Sequence, residues 1–419
     1  MPPLSCRYRT VSRYTTDDAL RSAQALTRLQ RNMIVLCADR LFTPLEEIKN
    51  SLVSIEDGVI SAITARDQQE IPAGATLIDL GDAVLAPGFV DIHMHGGAGL
   101  DVMRASLDEL PRLNKFLTKH GVTGYFPTTV AAAPDQTCAA LERLADAIEA
   151  DQSSNTDGAV QAKPLGIHLE GPFLSHKRRG VHPPEFLVEP TLQIFDRLWQ
   201  AARGHVRMMT IAPELPGALE LIAEAARRKV LVSIGHSDAV LEAARAGVKA
   251  GARHATHTFN AMRPLDHRDP GILAEVLTDA QLTADIIVDG IHVMPEVVQL
   301  FLQAKGVEGA VLITDAMTAT GMPDGTYQLG PIQVEVKDGR CTADGRLAGS
   351  VLTMDRAVRN VTQFSRWSLR EAVRAATLNP ARAAGIAQHG QITPGAEANL
   401  VALSPSGEVR KTMVRGRGF

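Results

Sequence analysis

Residues 87–95 read PGFVDIHMH and mark the point at which the character of the chain changes. An apolar, strand-like run ends there in two histidines, and from this point such runs alternate with amphipathic helical stretches. We count eight runs, at residues 89–93, 124–127, 164–168, 207–212, 230–235, 254–258, 284–288 and 310–315. Eight strands that are each followed by a helix predict an α/β fold, the (β/α)8 TIM-like barrel.

Short β-rich segments flank this pattern on both sides. They lie at residues 33–38, 51–56, 59–64 and 76–79 before it, and at 391–392, 398–403 and 411–414 after it. Chain ends often lie close together, so we expect residues 33–86 and 388–419 to build one small β-sandwich domain beside a barrel of residues 87–387. After residue 315 we expect a loop, then helices near 355–362 and 369–378. Residues 1–32 are expected to form a polar extension with a short helix over 18–30.

The composition excludes several classes of protein. The 419 residues are 45% hydrophobic and 21% charged, which is typical of a soluble globular chain and not of a disordered one. A net charge of −4 and 4% aromatic residues give no support for nucleic-acid binding. The four cysteines form no CxxC pair, which favours a reducing, cytoplasmic location. No apolar run approaches the ~20 residues of a membrane span, and the first thirty residues lack the apolar core of a secretory signal.

Metal-ligand and acid–base residue types stand at the ends of five of the eight expected strands. Catalytic groups of a barrel come from the carboxyl ends of its strands. His93 and His95 lie on one side of their strand, because side chains alternate with period two. The other four ends carry, in chain order, Glu170, His236, His257 and Asp315. A single histidine here is more often structural, but the combination predicts a site for a transition metal.

These residue types favour metal-assisted hydrolysis. One or two divalent ions would lower the pKa of bound water toward about 7. Asp315 is placed to take a proton from that water and to deliver it to a leaving nitrogen. The metal, aided by a nearby histidine, would polarise the carbonyl that is attacked. We therefore expect hydrolysis of an amide or an ester with no covalent enzyme intermediate.

Longer motifs connect the chain to a known family. They are PGFVDIHMHGG (87–97), HLEGPF (168–173), GHS (235–237), THTFNAM (256–262), DGIH (289–292), TDA (314–316), LAGS (347–350) and NPA (379–381). From about residue 33 to 414 the chain resembles the amidohydrolase superfamily, and within it the N-acetylglucosamine-6-phosphate deacetylases. The resemblance implies metal-dependent removal of the acetyl group from N-acetylglucosamine 6-phosphate, which gives glucosamine 6-phosphate and acetate.

The resemblance also implies roles for single residues. Glu170, His236 and His257 match the shared metal ligands, and Asp315 matches the catalytic acid and base. His182 matches a histidine that contacts the substrate and helps to polarise the acetyl carbonyl. The further positions that match substrate contacts are Val181, Asn260, Ala261, Asp289, His292, Leu347, Ala348 and Gly349. Arg268 matches an arginine that reaches the phosphate in the neighbouring subunit, which implies a homodimer.

The motif PGFVDIHMHGG indicates how many metal ions to expect. Some members of the family replace its two histidines and use one metal. This chain has both His93 and His95, so it resembles the members with a binuclear site, in which Glu170 would bridge. Zinc is the expected ion, and iron, manganese or cobalt suit the same ligands.

Two other functions remain open at this stage. Amidohydrolases that open cyclic amides often bridge two metals with a modified lysine at a barrel strand end, where this chain has Glu170. A non-catalytic scaffold on the same fold typically loses ligands, whereas every ligand and Asp315 are present here. Lys177, Arg178 and Arg179 are interpreted as a solvated loop, and His168, His176 and His254 as structural residues.

Overall fold

The structure is a computed structural model that describes residues 33–68, 70–153, 159–386 and 388–419. The polar extension expected at residues 1–32, with its helix over 18–30, lies outside the described residues. Among the described helices, none has both the length and the apolar character that crossing a membrane requires.

The helices and strands alternate through most of the chain. The strands are β1 (Met33–Phe42), β2 (Glu47–Glu56), β3 (Val59–Ala65), β4 (Thr76–Asp79), β5 (Val84–Pro87), β6 (Phe89–Met94), β7 (Gly96–Gly97), β8 (Leu100–Asp101), β9 (Val122–Thr129), β10 (Lys163–Pro164), β11 (Ile167–Glu170), β12 (Val206–Ile211), β13 (Leu231–Ile234), β14 (His254–Ala255), β15 (Thr283–Ile287), β16 (Ala310–Ile313), β17 (Gly325–Leu329), β18 (Ile332–Lys337), β19 (Arg340–Ala343), β20 (Arg346–Leu347), β21 (Leu400–Leu403) and β22 (Val409–Met413). The helices are α1 (Leu110–Lys119), α2 (Pro134–Ser153), α3 (Leu192–Ala201), α4 (Ala218–Arg227), α5 (Leu241–Ala250), α6 (Gly271–Thr278), α7 (Pro295–Gly309), α8 (Met354–Phe364), α9 (Leu369–Ala375) and α10 (Leu378–Ala383). Two short 3-10 helices lie at His176–Arg178 and Pro184–Phe186.

Parallel strands form the predicted barrel. Their order is β6, β9, β11, β12, β13, β14, β15 and β16, and the short β10 pairs with β9 as an addition. The ring closes between its last and first strands, where the Asp315 N–H donates to the His93 carbonyl at 2.9 Å and the His95 N–H donates to the Ala316 carbonyl at 2.7 Å. The prediction of a (β/α)8 barrel is therefore confirmed.

Burial explains why the barrel strands read as continuous apolar runs. Every residue of β6 and β9 is buried, because helices cover the outside of a barrel and side chains fill its inside. The helices show the complementary pattern of one apolar face. In α1, Leu110, Leu113 and Leu117 are buried at intervals of three and four residues, which places them on one side of a helix.

The flanking domain joins both ends of the chain, as the sequence predicted. Its strands pair in the order β22, β21, β5, β1, β2 and β3, with β4 also on β1, so that hydrogen bonds connect all seven into one sheet. Strand β21 runs antiparallel to β5, and this pairing ties the C-terminal strands to the segment that leads into the barrel. A separate apolar core that includes Leu36, Val53 and Leu400 stabilises the sheet.

A four-stranded antiparallel sheet, β17 to β20, follows the last barrel strand where the sequence analysis expected a loop. We call it the meander. Two of its turns have a residue pair with positive φ, Asp338-Gly339 and Asp344-Gly345, which is the signal of a two-residue hairpin. In β18 only alternate residues are buried, and Val334 is one of them. The meander packs on Val130 beside the mouth of the barrel and so belongs to the site.

Candidate active site

The six residues predicted from the strand ends come together at the carboxyl side of the barrel. They form two groups of possible metal ligands, and in each group the ligand atoms lie within 4.8 Å of one another. All six side chains are buried. The first group is His93, His95 and Asp315; the second group is Glu170, His236 and His257.

In the first group the two imidazoles face one carboxylate. The Nε2 atom of His95 lies 3.1 Å from Oδ1 of Asp315, and the Nε2 atom of His93 lies 3.6 Å from the same oxygen. The two Nε2 atoms are 3.3 Å apart. Both histidines therefore turn the same ring nitrogen toward Asp315.

In the second group Oε1 of Glu170 is the common point. It lies 3.1 Å from Nε2 of His257 and 3.2 Å from Nε2 of His236. Glu170 also reaches the first group, because its Oε1 is 3.6 Å from Nε2 of His93 and its Oε2 is 3.4 Å from Nε2 of His95. This carboxylate thus stands between the two groups, where a bridging ligand would stand.

Hydrogen bonds behind the histidines select the tautomer that suits a metal. Nδ1 of His236 donates to the carbonyl of Arg178 at 2.9 Å, and Nδ1 of His95 donates to the carbonyl of Thr128 at 3.0 Å. A carbonyl can only accept, so each Nδ1 carries a hydrogen, and the ring in its neutral form turns the Nε2 lone pair toward the cluster. Neutral imidazoles and carboxylates are suitable ligands for a divalent transition metal, and the donor set fits such an ion.

The electrostatics of the cluster favour positive charge. Burial raises the pKa of the Asp315 carboxyl, but His95 and His93 more than offset this and lower it to about 2. Burial lowers the pKa of His95, whereas Asp315 and Glu170 raise it, and the net result is about 10. The two carboxylates therefore stabilise a cation between them, as they would stabilise a metal ion.

The backbone at three of these six residues is unusual. His236, His257 and Asp315 have φ values of 45°, 29° and 50°, in the left-handed region that side chains rarely adopt. Such residues cost on the order of 1–3 kcal/mol each and cluster at functional sites. Surrounding hydrogen bonds hold them, and one of these runs from the His257 N–H to the carboxylate of Asp285.

A cavity of about 270 Å³ opens above the ligands. Of the residues predicted to contact substrate, it is lined by Val181, His182, Asn260, Ala261, His292, Leu347 and Gly349. The Ala131 N–H donates to Nδ1 of His182 at 3.1 Å, so the hydrogen of this ring is on Nε2. His182 thereby offers a hydrogen-bond donor, 3.6 Å from Oε2 of Glu170, beside the metal ligands.

Comparison with known proteins identifies the family of this chain. A model described as the amidohydrolase family matches residues 84–418. The chain belongs to the amidohydrolase family. An N-acetylglucosamine-6-phosphate deacetylase of Bacillus subtilis is 37% identical to this amidohydrolase over 90% of the chain and 94% of the relative. An N-acetylgalactosamine-6-phosphate deacetylase of Escherichia coli O157:H7 is 38% identical over 91% of the chain and 98% of the relative. The crystal structure of N-acetyl-D-glucosamine-6-phosphate deacetylase from Mycobacterium smegmatis superposes with a TM-score of 0.84 at 36% identity, and covers 92% of this chain and 99% of that one.

Three predicted contacts do not line the cavity of this amidohydrolase. Asp289 lies behind His292 and accepts from its Nδ1 at 2.7 Å, so it can position that ring. Ala348 is buried beneath the meander. Arg268 is exposed on the loop before α6, outside the cavity of its own chain. Its predicted role in a neighbouring subunit stays a prediction.

Sequence reasoning missed four residues that line the cavity of the amidohydrolase. They are Val130, Gly180, Leu329 and Arg346. Leu329 lies on a meander strand in the segment that was expected to be a loop. Arg346 immediately precedes the motif LAGS at 347–350, so its position next to a named motif was the available signal.

Proposed function

We propose that this amidohydrolase removes the acetyl group from N-acetylglucosamine 6-phosphate and releases glucosamine 6-phosphate and acetate. One observation carries the proposal: the Asp315 carboxylate lies 3.1 Å from a metal-ligand histidine at the floor of a cavity that also presents the Nε2–H of His182. A proton acceptor and a hydrogen-bond donor on one small cavity are what amide hydrolysis needs. Relatives that cover nearly the whole chain are deacetylases of N-acetylated sugar 6-phosphates.

The metal would be held by the two groups of ligands already described. Glu170, His236 and His257 would hold one ion, and His93 and His95 would hold a second that shares Glu170. A divalent ion in this place supplies Lewis-acid chemistry and makes water acidic enough to lose a proton near neutral pH. We propose zinc, while iron, manganese and cobalt are compatible with the same nitrogen and oxygen ligands.

The protein's own groups perform the proton transfers. Asp315, whose pKa is lowered to about 2, is ionised at neutral pH and accepts the proton of the attacking water. The same carboxyl then returns that proton to the nitrogen that leaves with the sugar. His182 donates its Nε2–H to the acetyl oxygen as negative charge develops there, which stabilises the transition state more than the ground state.

Polar residues elsewhere in the cavity would bind the sugar phosphate. Asn260, Ala261 and His292 line it, and the side-chain amide of Asn260 can donate to phosphate oxygens. We propose that Arg268 of the partner subunit completes this contact in a homodimer, since Arg268 is exposed and outside its own cavity. A cytoplasmic location agrees with the free thiols of Cys37 and Cys341, which are buried.

The galactosamine epimer is a specific second candidate substrate. The relative named for N-acetylgalactosamine 6-phosphate is 38% identical, and the relative named for the glucosamine derivative is 37% identical. Similarity alone therefore does not separate the two sugars, and we favour the glucosamine derivative because most of the relatives are named for it.

Acetate release from a small panel tests the proposal. The panel holds both N-acetylhexosamine 6-phosphates, N-acetylglucosamine without phosphate, and a cyclic amide. We expect release from the glucosamine derivative, loss of activity after chelation, and recovery when zinc is added back. Metal-replete protein that opens the cyclic amide but releases no acetate from any sugar would contradict the proposal.

A further inference from the structure

Arg346 is a cation at the cavity that the proposed function does not yet use. It lies on β20 of the meander, its side chain is exposed, and it is the one Arg or Lys among the described residues that line the cavity. The other described lining residues carry the negative charges of Glu170 and Asp315, which the histidines and the metal offset. An arginine in this position adds a positive charge that the metal site does not require.

Arg178 and Arg263, which do not line the cavity, are paired with carboxylates, whereas Arg346 has no acidic partner among the described residues. Nε of Arg178 donates to Asp238 at 2.8 Å, and Arg263 is paired with Asp269. Arg346 makes one hydrogen bond, from its Nη1 to the carbonyl of Gly180 at 2.9 Å, and no ion pair to any described residue. Most of its guanidinium donors therefore remain available to a ligand.

The contact with Gly180 places the guanidinium at the wall of the cavity. Gly180 has a φ of +59°, and a Cβ added to it would lie 3.2 Å from Cε1 of His236. The carbonyl that accepts from Arg346 thus belongs to Gly180, which packs against the ring of His236. This hydrogen bond holds one end of the guanidinium against Gly180, and both residues line the cavity.

Strand pairing and a backbone hydrogen bond hold the segment that carries Arg346. Its neighbour Ala348 is buried and donates its N–H to the carbonyl of Cys341 at 3.1 Å, inside the apolar core of the meander. The planar fork of a guanidinium presents several donors in a fixed geometry, so less conformational freedom is lost per hydrogen bond formed. This arrangement suits recognition of an anion with several oxygens.

We propose that Arg346 binds the phosphate of the substrate from within the same chain and so selects phosphorylated over unphosphorylated sugars. The inference rests on the proposed function, because it takes the anion to be the 6-phosphate of an N-acetylated amino sugar. It adds a cis contact on the meander side of the cavity to the trans contact proposed for Arg268. Arg346 touches the substrate but takes no part in proton transfer.

Three variants test this role: Arg346→Gln, Arg346→Lys and the control Arg340→Gln. Arg340 is exposed on β19 of the same meander and outside the cavity, so its substitution makes the same charge change without the contact. The assay is acetate release, measured as kcat and KM with N-acetylglucosamine 6-phosphate and as kcat/KM with N-acetylglucosamine. Metal content and circular dichroism confirm that each variant is folded and loaded.

We expect Arg346→Gln to raise KM for the phosphorylated sugar by about 10- to 100-fold, the value of one or two charge-assisted hydrogen bonds. The kcat/KM for the unphosphorylated sugar should stay within about threefold of wild type, since that sugar lacks the anion. Arg346→Lys should recover part of the loss, and Arg340→Gln should match wild type. An unchanged KM, or equal losses with both sugars, would overturn the proposal.

Binding measurements keep this proposal separable from the proposed reaction. Calorimetry of the metal-loaded protein compares glucosamine 6-phosphate with glucosamine. A wild-type protein that prefers the phosphorylated sugar but releases no acetate contradicts the proposed reaction alone. If Arg346→Gln keeps the full preference, the role of Arg346 is wrong, and if the wild type binds neither sugar both proposals are wrong.

Discussion

Replacing Asp315 by Asn tests the centre of the proposed chemistry. Asn has nearly the same shape, so the hydrogen bond from its backbone N–H to the His93 carbonyl should persist and the barrel should stay closed. The amide cannot accept a proton from water near neutral pH. The variant therefore removes proton transfer while it leaves the cavity intact.

The size of the effect follows from the surroundings of Asp315. General acid–base catalysis contributes about 10²–10⁴ in rate. In the cavity the one other described carboxylate is Glu170, and its oxygens lie against five histidines, so it cannot take over. Because Asp315 is proposed to act in both proton transfers, we expect kcat to fall by about 10³–10⁴, or about 4–5.5 kcal/mol in activation free energy.

The assay is steady-state acetate release together with metal analysis. KM should change little, and the second group, which lacks Asp315, should keep its ion. Asp338→Asn is the matched control, since Asp338 is an exposed turn residue with a φ of 50° that Asn also adopts. A kcat for Asp315→Asn within about tenfold of wild type, in protein that retains its metal, would refute the assigned role.

Three further predictions concern metal, subunits and pH. Removing the metal with a chelator should abolish activity and lower the melting temperature, because ions that bind the folded state stabilise it, and calorimetric scans before and after adding zinc check this. Arg268→Gln should raise KM, so at substrate well below KM both it and Asp315→Asn are nearly inactive. Mixing the two proteins under subunit exchange should then restore about a quarter of wild-type activity, since half of the dimers are mixed and each has one intact site; no recovery despite demonstrated exchange would exclude a trans arginine. Burial raises the pKa of the Asp355 carboxyl. Interactions with His120, which include a hydrogen bond of 3.0 Å, more than offset the effect of burial, so the net pKa is lowered. The folded-state pKa is thus below the unfolded value of about 3.9, so the pair stabilises the protein above that pH and this stability is lost as pH falls through the folded-state pKa. Melting temperatures from pH 6 to 2 should drop less steeply for Asp355→Asn than for wild type.

The sequence predicts the barrel and the ligands for one physical reason. Strands that are buried on both faces must be apolar along their length, so polar residues at their carboxyl ends, such as Glu170 and His236, are conspicuous. It could also be predicted that these polar residues lie close together, because adjacent parallel strands end at the same edge of a sheet. The alternation of apolar strands and amphipathic helices was sufficient to predict the fold.

Contacts between segments that are far apart in the sequence could not be predicted from such local patterns. The tautomer of His182 depends on the N–H of Ala131, which lies in another loop, and no local pattern indicates that contact. The meander was missed because its strands are short and half exposed, although Asp338-Gly339 is a hairpin signal. Arg346 was missed with it, since its role depends on where β20 lies relative to Gly180.

The barrel closes between β6 and β16, which we call the seam. This closure determines when each group of possible metal ligands is complete during synthesis. The donors at this seam, His93 and Asp315, come from opposite ends of the barrel's sequence, and they meet only after the ring has shut. Glu170 and His257 are 87 positions apart, with His236 between them, so all three are synthesised before the last barrel strand, β16, is translated. A second ion held there would therefore find its full set of ligands only in the completed barrel.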